Sequence, residues 1–307
     1  MGITQAEKEA YIAELKLLRA FHYLKLMDLF GNIPIVTQVG IPAKPETQPR
    51  AAVFAFIEKE IKENIEKAPK PSRNMIGRMT QAGGYAMLVE LYLNAQTWTG
   101  TARWDDCIAA ANKLINNEVG GQNGTMQLDP NITDPFKSSN DLSKEVIFSI
   151  AYEFTKASFQ PSWTGEFFHF QQDQIYGGAR NGNDGVVVVP GNFTKYEDAD
   201  LRKRTWLLEG PMFRFDNGQP ALARGGNEYD GQQIVFVDYI RKAKTGSTVS
   251  NMSEGEENSG VRFNKYKLGN QVASVINNVT IPIDPNYNNT DWNIYRLTWI
   301  YFAKAEA

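Results

Sequence analysis

Arg19 and His22 stand three residues apart in ELKLLRAFHYLKLMDLFGNIPIVT (14–37), the most apolar stretch near the start of the chain. An arginine and an imidazole one helical turn apart could hold an anion or pass a proton. Nothing in the sequence completes such a site, because no G-x-S-x-G, G-x-x-x-x-G-K-[ST], H-E-x-x-H or G-x-G-x-x-G motif occurs. The structural reading is the stronger one. An arginine in so apolar a helix must find a carboxylate or carbonyls, since a buried unpaired charge is too costly.

The remaining chemistry is sparse. His22 and His169 are the two histidines and Cys107 the one cysteine, too few for a zinc centre, which needs three or four such ligands. Cys107 sits among Ile108, Ala109 and Ala110 and reads as a buried structural thiol. Asp284, Asn286 and Asn288 copy the first half of a calcium loop, but Asn289 replaces its glycine and Tyr295 its closing glutamate. Neither a metal nor a cofactor is expected. Asp198, Asp200 and Arg202 in YEDADLRKR form the densest charge cluster, read as a solvated turn or a structural ion pair. Paired carboxylates for glycoside hydrolysis stay open, because the separation that matters is not visible in a sequence.

The 307 residues suit one large domain or two ordinary ones, and their 42% hydrophobic and 22% charged content is that of a globular chain. A net charge of -3 argues against nucleic acid or an anionic membrane held by charge. No apolar run approaches the roughly 20 residues that span a bilayer. MGITQAEKEA carries no basic and apolar leader, and the helix-forming end YRLTWIYFAKAEA suggests a fragment.

The elements that must position any site come in two styles. Thr4 and Glu7 fit a capping box opening a helix to about Leu29, with Leu15, Leu18, His22, Leu26 and Leu29 at helical spacing. Leu17, Phe21, Leu24 and Met27 widen its apolar surface, so it is expected to pack on most sides. Gly31 and Pro34 end it. Further helices are predicted at 51–67, after Thr80, and at 104–116, with Trp98 and Trp104 read as core. Helix, loop, helix, twice over, suggests tetratricopeptide-like hairpins without a strict period. Past residue 118, KEVIFSIAYEF alternates like a strand, and 155–292 offers short apolar pieces such as VVVV (186–189) and QIVFVDYI in loops. Residues 243–260 read as a surface loop.

The opening stretch closely resembles the signature helix of the SusD/RagB family of Bacteroidetes outer-membrane nutrient-binding lipoproteins. GRMTQAGGYAMLVELYLNAQTW, WDDCIAAANKLI, EVIFSIAYE and WNIYRLTWIYFAKAEA follow in the family's order. Asn32 stands for the usual Asp, and Thr298-Trp299 for Ala-Glu. The resemblance implies a mainly α fold: four tetratricopeptide-like hairpins in a superhelix, with a loop-rich lobe containing short strands. It divides one SusD-like domain, itself a fragment, into a helical scaffold (1–118), a ligand-binding lobe (119–292) and the start of another scaffold helix (293–307). It also implies a lipid anchor on the outer membrane, a SusC-like TonB-dependent transporter as partner, an oligosaccharide or other nutrient ligand, and no catalysis.

Sugar rings present apolar C–H faces to aromatic planes while amides and charges satisfy their hydroxyls. QPSWTGEFFHFQQDQIYGGARNGND (160–184) is the stretch best suited to that. Trp163, Phe168, His169, Tyr176 and Arg180 are the expected ligand contacts, with Trp206 and Tyr229 as outer candidates. Several of these rings would equally fill the lobe's own core. A carbohydrate-active enzyme and a helical-repeat scaffold for protein partners remain the alternative readings.

Overall fold

The computed structural model describes residues 2–40, 44–153, 156, 166–176, 182–224, 229–240, 256, 258–266, 274–276, 279–281 and 289–307. The chain divides into two compact units: Met1–Asp129 with Asp141–Ala151 and Trp292–Ala307, and Pro130–Asn140 with Tyr152–Asp291.

The first unit is helical. Helix α1 (Gln5–Phe30) opens on the expected capping box, Thr4 Oγ1 accepting from Glu7 N at 3.2 Å and Glu7 Oε2 accepting from Thr4 N at 2.7 Å. Gly31, at φ 72°, ends it by donating to Met27 O. Its positive φ is what makes glycine the residue for this turn. Asn32 Oδ1 then accepts from Arg50 N at 2.8 Å, and β1 (Ile33–Pro34) pairs with β2 (Thr47–Gln48). Helix α2 (Arg50–Asn64), tightening into a 3-10 turn over Ile65–Lys67, returns along α1. Helices α3 (Gln81–Leu93) and α5 (Trp104–Ile115) form the second hairpin, with the short α4 (Ala95–Thr99) between them.

Helix α3 is buried almost end to end. A Cβ at Gly84 would come 3.0 Å from Ile65 Cδ1, so a small residue lets the helices close. Cys107 lies fully buried with its thiol on Val89 O at 3.6 Å, and burial pushes the thiol up to about 11. It is structural, as its setting suggested. Arg19 finds its carboxylate: Nε and Nη2 both donate to Glu60 Oε2, at 2.9 and 2.5 Å.

Three expectations are corrected here. Helix α1 buries Ala13, Leu17, Ala20, Leu24 and Met27, while Leu15, Leu26 and Leu29 of the expected stripe are 64, 43 and 73% exposed. In a helix apolar on most faces, periodicity does not say which face turns inward. Trp98 is buried but Trp104 is 36% exposed at the start of α5. Strand β3 (Val146–Ile150) does not alternate: Val146 to Ser149 are all buried and only Ile150 is exposed. A strand covered on both faces has no polar side to show.

Strand β3 belongs to the helical unit, although the sequence placed it in the loop-rich part. It pairs antiparallel with β10 (Trp292–Arg296), from Trp292↔Ile150 to Arg296↔Val146, with register shifts on both sides of Tyr295. Helix α8 (Leu297–Glu306) follows β10 directly and packs on α5 and α3. Glu145, at the entry to β3, pairs with Arg296 Nη1 and accepts from the Thr298 hydroxyl, while its carbonyl accepts from Leu297 N at 2.8 Å.

The second unit has no described helix longer than five residues: α6 (Asp173–Tyr176) and α7 (Leu201–Thr205). Its described strands are short pairs: β4 (Leu207–Leu208) with β7 (Arg262–Phe263), β5 (Gly210–Pro211) with β6 (Val235–Phe236), and β8 (Ser274–Ile276) with β9 (Val279–Ile281). Ile234 and Phe236 point inward from QIVFVDYI and join Met212, Ala221 and Ala223 in one small core. Val188, Leu207 and Val261 form another. The 243–260 surface-loop reading is corrected at its end, where Glu256, Asn258, Ser259 and Gly260 are buried; the rest of that segment lies outside the described residues.

Removing the Glu145 carboxylate takes away the ion pair of Arg296 and the acceptor of the Thr298 hydroxyl in a mostly buried site. Glu145→Ala is expected to lower unfolding free energy by about 3–5 kcal/mol, read as a reduced urea midpoint at unchanged slope.

Candidate functional site

The loop-rich unit carries an open groove of about 1120 Å³. Its walls come from four separate pieces of chain: Phe167, the Val186–Val189 run, the segment from Asn192 to Leu207, and Phe263.

Helix α7 organises one wall. Asp200 is its N-cap, Oδ1 accepting from Arg202 N at 2.9 Å. The Arg202 side chain folds back on the same carboxylate through Nε at 3.0 Å to each oxygen and Nη2 at 2.5 Å. Its guanidinium lies 5.2 Å from the Tyr196 ring centroid, a cation–π distance. Arg202 holds the Asp200 carboxyl below its ordinary range, by the side-chain bonds first and the backbone bond second. Lys203 does the same for Asp198, with Nζ 2.6 Å from Oδ1 and 4.9 Å from the Phe193 ring. The loop before them is tied by Gly191 N donating to Asp238 Oδ1 at 3.0 Å and by the Phe193–Lys195 3-10 turn.

The opposite side is apolar. Val188 N donates to Val261 O at 2.9 Å, while Val186 and Val189 stay 40 and 58% exposed. The edge of Phe167 meets Phe263 at 5.5 Å and 76°. A Cβ at Gly260 (φ 80°) would lie 2.7 Å from Val187 Cβ, so glycine is what lets this run approach.

Behind the groove sits a buried polar cluster. Gly182 N, Asp184 N and Val186 N donate to His169 O, Phe168 O and Glu166 O, tying the valine run to the stretch carrying Phe167. His169 is fully buried, and its Nδ1 accepts from Gln171 N at 3.1 Å. The ring proton therefore lies on Nε2, which donates to Asn258 Oδ1 at 2.9 Å. Burial, then Arg262, pushes His169 down to about 3. Asp184, at φ 56°, accepts on Oδ1 from Phe170 N at 3.2 Å and Arg262 Nη1 at 3.1 Å. Burial raises its carboxyl to about 6, against the pull of Arg262.

Of the residues singled out from sequence, Trp163 and Arg180 lie outside the described residues, as do Asp284, Asn286 and Asn288. Tyr176 ends α6, and its side chain is likewise outside the description. Phe168 and His169 are buried, so they take the core role and offer no ring face to a ligand. Trp206 meets Phe136 edge-on at 5.5 Å and has Lys265 Nζ 4.8 Å from its ring. Tyr229 packs on the Phe236 core. Phe168, His169, Trp206 and Tyr229 are not among the residues lining the groove; Phe167, Tyr196 and Phe263 are. YEDADLRKR pointed to this wall through its charges, and Tyr196 stands at its head. Phe263 carried no sequence signal.

No family model matches the chain. Over 149 residues, 48% of this chain and 26% of the other, it is 27% identical to the starch-binding protein SusD of Bacteroides thetaiotaomicron. A solved SusD superfamily protein from Parabacteroides distasonis aligns over 99% of the chain with a TM-score of 0.69 at 14% identity. The fold is SusD-like, and about half of the chain resembles SusD in sequence. The surface glycan-binding protein A of Bacteroides uniformis aligns over 99% with a TM-score of 0.62 at 17% identity. The SusD-like chain spans 56 and 55% of these two solved relatives.

The buried cluster makes a pH prediction with opposed signs. His169 is depressed from 6.5 to about 3, so its contribution is present above 6.5 and is lost as pH falls. Asp184 is raised from 3.8 to about 6, so its contribution is present below 3.8 and is lost as pH rises. Between about 4 and 6 the two slopes cancel. Relative to wild type, His169→Gln should lose stability with rising pH in this window, and Asp184→Asn should gain it, each by up to ~1.4 kcal/mol per pH unit. Urea melts at pH steps across the window check both signs.

Proposed function

We propose that this SusD-like chain binds an oligosaccharide in the groove beside α7 and leaves it chemically unchanged. The observation that carries the reading is the pairing of half-buried rings, Tyr196, Phe167 and Phe263, with an ion pair already closed on itself, Asp200–Arg202. Ring faces supply the apolar contact that sugar C–H faces need, and fixed polar groups supply hydroxyl partners without rearranging. The groove, at about 1120 Å³, exceeds the ~300–1,000 Å³ of pockets for small ligands, which suits a chain of sugars. A glycosidase acid needs a carboxyl raised towards neutrality, whereas Arg202 holds Asp200 low. The names of its relatives, starch-binding and surface glycan-binding, support the same ligand class.

Delivery to a SusC-like TonB-dependent transporter, from a lipid-anchored position on the outer membrane, completes the proposal and rests on the family resemblance. Among the described residues no helix is long and apolar enough to cross a membrane, which is compatible with attachment by an anchor.

Calorimetry against a panel of oligosaccharides, with chromatography of the same mixtures, tests the reading. Tyr196→Ala should weaken the binding about tenfold, ~1.4 kcal/mol, while the variant still unfolds in one cooperative transition. Shortened products in the mixtures would overturn the non-catalytic role, and intact binding by the variant would move the site elsewhere. Co-purification with the transporter from membranes tests delivery.

A further inference from the structure

We infer that the groove takes saccharides carrying acetyl groups and prefers them to unsubstituted chains of the same length and linkage; the inference rests on the groove being the glycan site. The two sides of the groove are unlike. On one, Lys195 and Arg202 balance Glu197 and Asp200 in formal charge, so charge chooses no ligand there. On the other, Val186 and Val189 stand exposed as aliphatic side chains. The run that carries them is fixed, by the bond of Val188 N to Val261 O and by the close approach of Val187 to Gly260. Its methyl groups are therefore presented in place before any ligand arrives.

The backbone of the same run adds a polar half. Val186 N and Val188 N are committed to Glu166 O and Val261 O. The alternate amides, Val187 N and Val189 N, make no hydrogen bond among the described residues, and alternation along an extended run turns them to the other edge. Unclaimed N–H donors beside exposed valine methyls match the two ends of an acetyl group. Its carbonyl oxygen accepts from an amide, and its methyl covers a valine. A hydroxyl in the methyl's place gives up water against an aliphatic side chain and finds no partner there. The sugar ring itself lies on Tyr196 across the groove. Selection thus comes from what the valine side denies a hydroxyl as well as from what it gives a methyl.

The test uses the full chain and two probes, chitotetraose and cellotetraose, which share length and β-linkage and differ only in an acetamido group in place of each C2 hydroxyl. By calorimetry chitotetraose should bind about tenfold more tightly, the combined worth of one buried methyl group and one net hydrogen bond. Val186→Thr and Val189→Thr keep the branched shape and exchange a methyl for a hydroxyl. Each should weaken chitotetraose about threefold and leave cellotetraose unchanged. Chitotetraose bound no more tightly than cellotetraose, or not at all, overturns the acetyl selection; the glycan site still stands if Tyr196→Ala weakens the oligosaccharides of the panel that do bind. A preference for chitotetraose that neither threonine variant reduces places the acetyl group off the valine side and overturns the inference too. Chitotetraose binding untouched by Tyr196→Ala overturns the site, and this inference with it.

Discussion

One antiparallel strand pair bears the topology of this molecule. Chain leaving the helical unit after β3 returns to it only at β10, with some 140 residues between, and the two strands lie side by side. Closing so long a loop costs chain entropy that rises only slowly with its length, but the cost must be met locally. Here it is met by a buried ladder, by Glu145 against Arg296 and Thr298, and by Tyr295, whose hydroxyl reaches Glu90 on α3. Glu90 also takes Lys25 of α1 at 2.6 Å. First hairpin, second hairpin and returning strand thus share one carboxylate.

The loop-rich unit solves a different problem. Its described strands are of two or three residues, and buried side-chain polar groups supplement their short ladders. Asn140 donates to Pro135 O and Asp291 O and accepts from Asp291 N, and Tyr152 N reaches Asp291 Oδ1. His169, Asn258, Arg262 and Asp184 do the same behind the groove. Such clusters specify one arrangement because every alternative strands a buried donor or acceptor. The groove wall inherits its order from them.

What could be read from sequence follows from this division. Helix α1, its capping box and its Gly31 stop depend on neighbours within a few positions, and they were legible. The partner type of Arg19 was legible too, from the cost of a buried charge alone, although not that it would be Glu60. The inward face of α1 was not, since Leu15 and Leu17 look alike to any pattern and only packing separates them. Strand β3 read as half-solvated because a single sequence does not show the second layer over it. The groove was the least legible: Phe167, Val186, Tyr196 and Phe263 meet only through tertiary closure, so the aromatic-rich stretch drew attention while Phe168 and His169 in it serve the interior.

The β3–β10 arrangement also says how such a molecule could diversify. Ile150 and Trp292, the last and first ladder residues, face each other, so the segment between them leaves and rejoins the helical unit at neighbouring points. A change of length or sequence within that segment can spare the β3–β10 ladder as long as both strand ends keep their places. It must also keep the partners of Phe136 and Asn140, which join the same loop-rich unit from before β3.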